Sequence, residues 1–231
     1  GQLTVTDHAR SPVWVERSLR RRLDILDVPF DDAHEAARAM GGSLNDLFVA
    51  AVAGGAGAYH RRRGLPVDDL RMAMPVSVRQ DRTAAGNAFV PTRVLIPVGD
   101  MDPRERFAAV HDVLGRVKGG RTTQALGAVA GLANLLPTSL TARLTRQQVQ
   151  AVDFATSNVR AAPFPLFIAG ARIEGTYALG PIVGTAFNTT MMSYDGSLQI
   201  GLHSDAVAVS DPGELRDDIA LAFEELIGSG L

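Results

Sequence analysis

Cysteine is absent from this chain of 231 residues, which excludes disulfides, thiolate metal sites and a cysteine nucleophile. Lysine is nearly absent too: Lys118 stands alone, and arginine supplies the rest of the 23 basic residues, against 25 acidic ones. The net charge of -2 gives no broad basic field, so nucleic acid is not expected as a partner. Long hydrophobic runs are missing as well. The longest, residues 125–137, ends at a proline and falls short of the roughly 20 residues that span a bilayer. Any membrane contact through residues 125–140 is therefore expected to be peripheral. The opening GQLTVTDHARSPVW lacks the apolar core of a signal peptide, and a cytoplasmic location is expected. There is no H-E-x-x-H, G-x-S-x-G or P-loop, so zinc hydrolase, serine hydrolase and nucleotide-phosphate chemistries lack a starting residue, and no metal site is expected.

Present instead is a composition that is 46% hydrophobic and 21% charged, enough for one large domain with a real core. Residues 1–16 mix Thr, Asp, His, Ser and Pro without periodicity and read as a linker; the domain is expected over 17–231. Alternation predicts a strand at 22–28, closed by Pro29, and a short helix follows at 31–40. Leu44, Leu47, Phe48, Ala51, Val52, Gly55 and Tyr59 keep helical spacing up to Gly64, which predicts the best-defined helix, its apolar stripe on a sheet. Strands are predicted at 70–78, 89–98, 152–159 and 166–178, and helices at 103–118 and, broken near Pro137, over 122–151. Residues 187–203 read as a hairpin turning at Asp195-Gly196, a pair suited to positive backbone angles. The chain closes on an amphipathic helix at 211–227. Hairpin and crossover spacings together favour a mixed sheet covered by helices.

Several residues can carry chemistry, and each has a plainer reading. Ser43 and Asp46 have the spacing of a capping box, which satisfies orphan N–H groups and sets a carboxylate at the positive helix end. Gly54, Gly55 and Gly57 each weaken the following helix, so something must approach closely there: a tightly packed sheet, or an acyl chain or pantetheine arm. Ser157 and Asn158 end a predicted strand, where their hydroxyl and amide can donate to an oxyanion or cap the strand. Arg61, Arg62 and Arg63, like Arg20 to Arg22, can meet phosphates, although the second helix's C-terminal dipole suffices to explain the later triplet. None of the five histidines sits in a context that marks a general base; His203 is best read as a strand-end residue.

The tracts SLNDLFVAAVAGG (43–55) and MPVSVR (74–79), with Gly86-Asn87 after them, and the run 153–202 together resemble the C-terminal half of the bacterial wax ester synthase/diacylglycerol acyltransferase family. The resemblance implies a two-layer α/β sandwich, a mixed sheet covered by helices, of the coenzyme A-dependent acyltransferase kind. It matches Asn45 and Asp46 to the family's Asn-Asp motif, Ser157, Asn158 and Val159 to the start of its Ser-Asn-Val-Pro-Gly-Pro pattern, and Asn188 to a further motif position, which makes Asn45, Asp46, Ser157, Asn158 and Asn188 substrate-tunnel or family-motif residues. Arg160-Ala161-Ala162 stands where the family has Pro-Gly-Pro. The HHxxxDG motif of such enzymes is absent. The resemblance therefore implies an N-terminal half as partner, carrying that base, and a chain inactive alone. Acyl-CoA is the implied donor, a long-chain alcohol or diacylglycerol the acceptor, and no cofactor is permanently bound; peripheral contact with the inner membrane or lipid droplets is also implied. Two alternatives stay open: an acyltransferase of polyketide or peptide alcohols on the same scaffold, and a noncatalytic lipid-binding or interaction module.

Overall fold

The computed structural model describes residues 11–77, 89–119, 151–182 and 184–230. The strands are β1 (Arg21–Pro29), β2 (Asp69–Ser77), β3 (Phe89–Pro97), β4 (Phe154–Arg160), the two-residue β5 (Phe167–Ile168) and β6 (Ala171–Arg172), β7 (Phe187–Tyr194) and β8 (Ser197–Asp205). The helices are α1 (Phe30–Ala39), α2 (Leu44–Arg62), α3 (Pro103–Gly119) and, last in the chain, α4 (Pro212–Gly230). The predicted helical stretch 122–151 lies outside the described residues, as do residues 1–10 with His8, and Val78, Arg79, Gly86 and Asn87.

Six strands form one mixed sheet in the order β1-β8-β7-β4-β2-β3. β4 runs parallel to both β2 and β7, and the outer pairs are antiparallel. The β7–β8 hairpin turns at Asp195 and Gly196, both at positive φ (44° and 83°), as the sequence predicts. All four helices pack on one face, with α2 at the centre between α4, α3 and α1. Alternation along the strands sends Val28, Phe154, Met191, Leu198, Ile200 and Leu202 into that helix-facing core.

The opposite face differs from expectation. The strand predicted at 166–178 is a short β5–β6 hairpin followed by an extended run. That run lies over β7 and β8 through single bonds rather than a ladder: Thr176 N donates to Gln199 Oε1 (2.5 Å) and Tyr194 Oη donates to Ile173 O (2.9 Å). Tyr177 donates to Asp27 at 2.7 Å, and that bond pushes its phenol up to about 12.

The linker expected at 1–16 is corrected from Ser11 onward. Trp14 is fully buried, with its ring 5.2 Å from Phe187 and 4.4 Å from His60. Ser11 N donates to Asp153 Oδ1 (2.9 Å) and Ser11 Oγ meets His60 Nε2 (2.8 Å). The apolar run Pro12-Val13-Trp14-Val15, with its single tryptophan, was the signal for this: burying so large an apolar ring outweighs the disorder suggested by the polar residues around it.

The glycines of α2 are explained by close packing. A Cβ at Gly54 would meet the Arg106 guanidinium at 2.6 Å, and one at Gly55 the backbone N of Ile219 in α4 at 2.7 Å. At Gly57 it would collide with the carbonyl oxygen of Val98, just after β3. These are protein contacts, so the tight-packing reading holds over an acyl-chain wall at this point.

Two outcomes follow. Gly57→Ala lowers the unfolding free energy by about 1–3 kcal/mol, as overpacking against backbone does; a denaturant titration equal to wild type contradicts the packing. His60 is fully buried and donates Nδ1–H to Ala56 O (2.7 Å), and burial holds its ring below the ordinary 6.5. The unfolded chain therefore gains a proton below pH 6.5 that the folded one refuses. Its stabilising contribution is complete above that pH and is lost as pH falls toward the folded value, at up to about 1.4 kcal/mol per pH unit. Urea titrations between pH 7.5 and 5.5 should show this slope in wild type and a flatter one in His60→Gln.

Candidate functional site

At one end of the sheet, the N-terminus of α2, the outer face of α1 and the C-terminal end of β4 enclose a cleft of about 740 Å³, within the range of small-ligand sites. The sequence reaches it from three directions. Phe30, His34 and Arg38 recur every fourth residue along α1, so one helical face lines the wall, with His34 stacked on Phe30 at 5.5 Å. Gly42 to Asn45 bring the α2 start, and Asn158, Arg160, Met191 and Ser193 come from the ends of β4 and β7.

The α2 start is held rigidly. Ser43 Oγ accepts from Asp46 N (3.3 Å), and Asp46 Oδ2 accepts from both Ser43 N and Ser43 Oγ (2.8 Å each). The capping box read from the sequence is therefore formed, and the acidic group sits where the helix dipole favours it. His111 of α3 adds Nδ1 to the same Oδ2 at 2.9 Å, its ring parallel to Phe107. Asp46 is buried within the scaffold, while Asn45, one residue earlier, lines the cleft. There Asn158 Nδ2 donates to Asn45 Oδ1 at 3.3 Å. Two amides 113 residues apart thus meet at its rim.

The other sequence-selected residues lie elsewhere. Ser157 alternates to the opposite sheet face from Asn158 and does not line the cleft. Asn188 is on that opposite face too, donating to Pro181 O (3.1 Å) and accepting from Thr190 Oγ1 (3.1 Å). A Cβ at Gly180 would strike its amide at 2.5 Å, so Asn188 anchors the extended run that crosses the sheet. His203 does the same through Gly180 O at 2.9 Å. Arg61, Arg62 and Arg63 close α2 at its far end, about 27 Å from the cleft by the rise of the helix. Their partners are Asp100 (3.8 Å), Asp218 (2.6 Å) and Glu214 (2.7 Å), and Arg63 also lies over the Tyr59 ring.

Sequence reasoning missed His34, Arg38 and Arg160 as lining residues. The every-fourth-residue spacing of Phe30, His34 and Arg38 was the available signal. Among the described residues no cluster of His, Asp or Glu could hold a metal, and no helix is long and apolar enough to cross a membrane.

Comparison with known proteins gives this arrangement a context. The family model described as the WS/DGAT C-terminal domain matches residues 85–227. A Mycobacterium tuberculosis protein named as a diacylglycerol O-acyltransferase is 30% identical over 218 residues, covering 94% of this chain and 44% of its own length. A second protein of that organism, the similarly named tgs1, is 29% identical and covers 90% of this chain and 47% of its own length. The chain thus spans about half the length of these curated relatives. Among solved structures, the wax ester synthase/diacylglycerol acyltransferase of Marinobacter aquaeolei superposes with a TM-score of 0.73 at 18% identity, over 96% of this chain and 52% of that one. A chain-releasing condensation domain of the enacyloxin polyketide synthase superposes at 0.58 and 9% identity, over 93% and 42%. These likenesses show the fold, a mixed sheet covered by helices.

The capping geometry separates the two neighbours in the Asn-Asp pair. Asp46→Ala should cost about 1–2 kcal/mol, whereas Asn45→Ala, at the cleft, leaves thermal stability near wild type. Equal melting temperatures for both variants would contradict this division of roles.

Proposed function

The chain belongs to the wax ester synthase/diacylglycerol acyltransferase family through its C-terminal domain, and on that premise we propose that it forms one wall of the substrate tunnel of an acyl-CoA:alcohol O-acyltransferase making wax esters, triacylglycerol or both. The observation that carries the reading is the Asn158–Asn45 bond at the rim of the cleft. It joins two of the motif positions that the sequence singled out, and it does so where both line the cleft.

The chemistry follows from what these groups can do. A companion half carrying HHxxxDG supplies a histidine that takes the proton of the acceptor hydroxyl. The alkoxide oxygen adds to the thioester carbonyl, and the carbonyl π electrons move onto oxygen. An amide has two N–H donors. Asn158 spends one on Asn45, which restrains the rotamer, and has the other to offer a developing oxyanion. Such a preorganised donor is worth roughly 3 kcal/mol. When the tetrahedral intermediate collapses, the C–S bond breaks, the ester forms, and the coenzyme A thiolate takes the proton back from the histidine. No cofactor enters this sequence.

The companion half also accounts for apolar surface on the β5–β6 side. Phe164, Phe167 and Ile168 are 58%, 61% and 68% exposed, the kind of exposed apolar side chains that mark interaction surfaces when they cluster.

In the full-length protein, Asn158→Ala lowers kcat/KM for acyl-CoA about 100-fold with its melting temperature unchanged. Full activity at equal stability would remove Asn158 from the reaction. Turnover of acyl-CoA by the 231-residue chain alone would remove the companion half. Esterification of polyketide or peptide alcohols in preference to lipid alcohols would reassign the acceptor.

A further inference from the structure

The cleft is basic, a feature the acyl-transfer reading does not use. His34, Arg38 and Arg160 line it, and no aspartate or glutamate does. Asp31, Asp32 and Glu35 belong to the same helix as His34 and Arg38 but lie off the lining face. Neither Arg38 nor Arg160 has a carboxylate within ion-pair distance among the described residues. Arg17, Arg21, Arg61, Arg62, Arg63, Arg106, Arg172 and Arg216 have each found a carboxylate or carbonyl partner; Arg20, Arg22, Arg104 and Arg116 share the lack of a carboxylate among the described residues, but on open surface, whereas Arg38 and Arg160 line one cleft. The α2 N-terminal dipole is already met by the buried Asp46 carboxylate, so the positive charge of the wall comes from these side chains, and Ser43, Asn45 and Ser193 supply neutral hydrogen-bonding groups.

The C-terminal dipole of α1 suffices to account for Arg38 alone. It does not account for Arg160, which comes from the end of β4, a strand distant in sequence. Arg160 also stands at the first position of the Pro-Gly-Pro corner that the resembled family carries. A residue with no N–H and a fixed φ has been replaced there by a guanidinium with five donors, whose flat fork matches an oxyanion.

We propose that the cleft binds a phosphate-type dianion, with Arg38 and Arg160 gripping its oxygens from opposite walls and His34 beside them. The site rests on the acyltransferase reading only for the source of the anion. A phosphate reaches such a cleft on the nucleotide end of a coenzyme A thioester or on a phosphorylated glycerol acceptor. Both present the same chemistry to two guanidinium groups, and a neutral diacylglycerol presents none of it.

The test is calorimetric titration of the full-length protein with inorganic pyrophosphate, in wild type, Arg38→Gln, Arg160→Gln and, as a control at the far end of α2, Arg61→Gln. Arg38 and Arg160 are exposed, so their substitution leaves the fold intact, which a thermal melt verifies. Wild type and Arg61→Gln should bind alike, and each cleft variant about tenfold or more weaker, with affinity falling steeply as salt rises. Displacement by coenzyme A assigns the anion to the donor, and displacement by glycerol 3-phosphate assigns it to the acceptor. The inference is overturned if wild type does not bind pyrophosphate, if Arg160→Gln binds it equally, or if neither organic phosphate displaces it. Pyrophosphate binding requires no turnover, so a wild type that binds the anion but transfers no acyl group sinks the functional reading and leaves this site standing.

Discussion

The placement of α2 is the constraint on which the rest of the structure depends. This helix is buried along nearly its whole length, and it lies nearer to its neighbours than side chains permit. Gly55 touches the α4 backbone, Gly57 the carbonyl of Val98, and Gly54 the buried guanidinium of Arg106, which Glu225 of α4 pairs at 3.3 Å. Glycine in a helix interior costs stability through backbone entropy. Here that cost is offset by removing a helix surface from water on several sides at once. A strut locked this way cannot slide along its axis, so its first turn stays where the end of β4 can meet it.

The cap completes the placement. Asp46 accepts from Ser43 and His111 together, tying the helix start to its own N-cap and to α3. The Asn-Asp pair therefore divides its work: the aspartate fixes the scaffold and the asparagine faces the cleft. On the other sheet face, Asn188, Gln199 and His203 hold the extended run at 173–182. Motif positions near one another in sequence thus serve two faces of the sheet, one bordering the cleft and one keeping the covering segment in place.

Much of the fold was legible because its signals are local. The α2 cap, the Asp195-Gly196 turn and the apolar alternation of β7 and β8 each state their geometry within a few residues, and each formed as read. The run 166–178 misled because apolar residues there sit on a hairpin tip and an extended cover, and periodicity cannot tell such a segment from a ladder strand. Trp14 misled for the opposite reason, since a tertiary anchor of one ring leaves no periodic trace. For the site, Asn45 was legible only through its match to the resembled family's Asn-Asp motif, and Asn158 through its match to the Ser-Asn-Val pattern and its place at a strand end. That Ser157 and Asn188 would turn away from them depended on strand phase, and the basic lining depended on the packing of α1 against β8 and α2, which no single stretch of sequence encodes.

The central claim is that the start of α2 and the end of β4 act as one unit on the substrate. The most direct measurement is a double-mutant cycle on kcat/KM of the full-length protein, using Asn45→Ala, Asn158→Ala and the pair. If Asn45 acts by holding Asn158, the double variant is barely worse than Asn158→Ala alone, because the second change removes a support that no longer has anything to position. Effects of the two changes that simply add, or the absence of any loss in Asn45→Ala, would contradict the account.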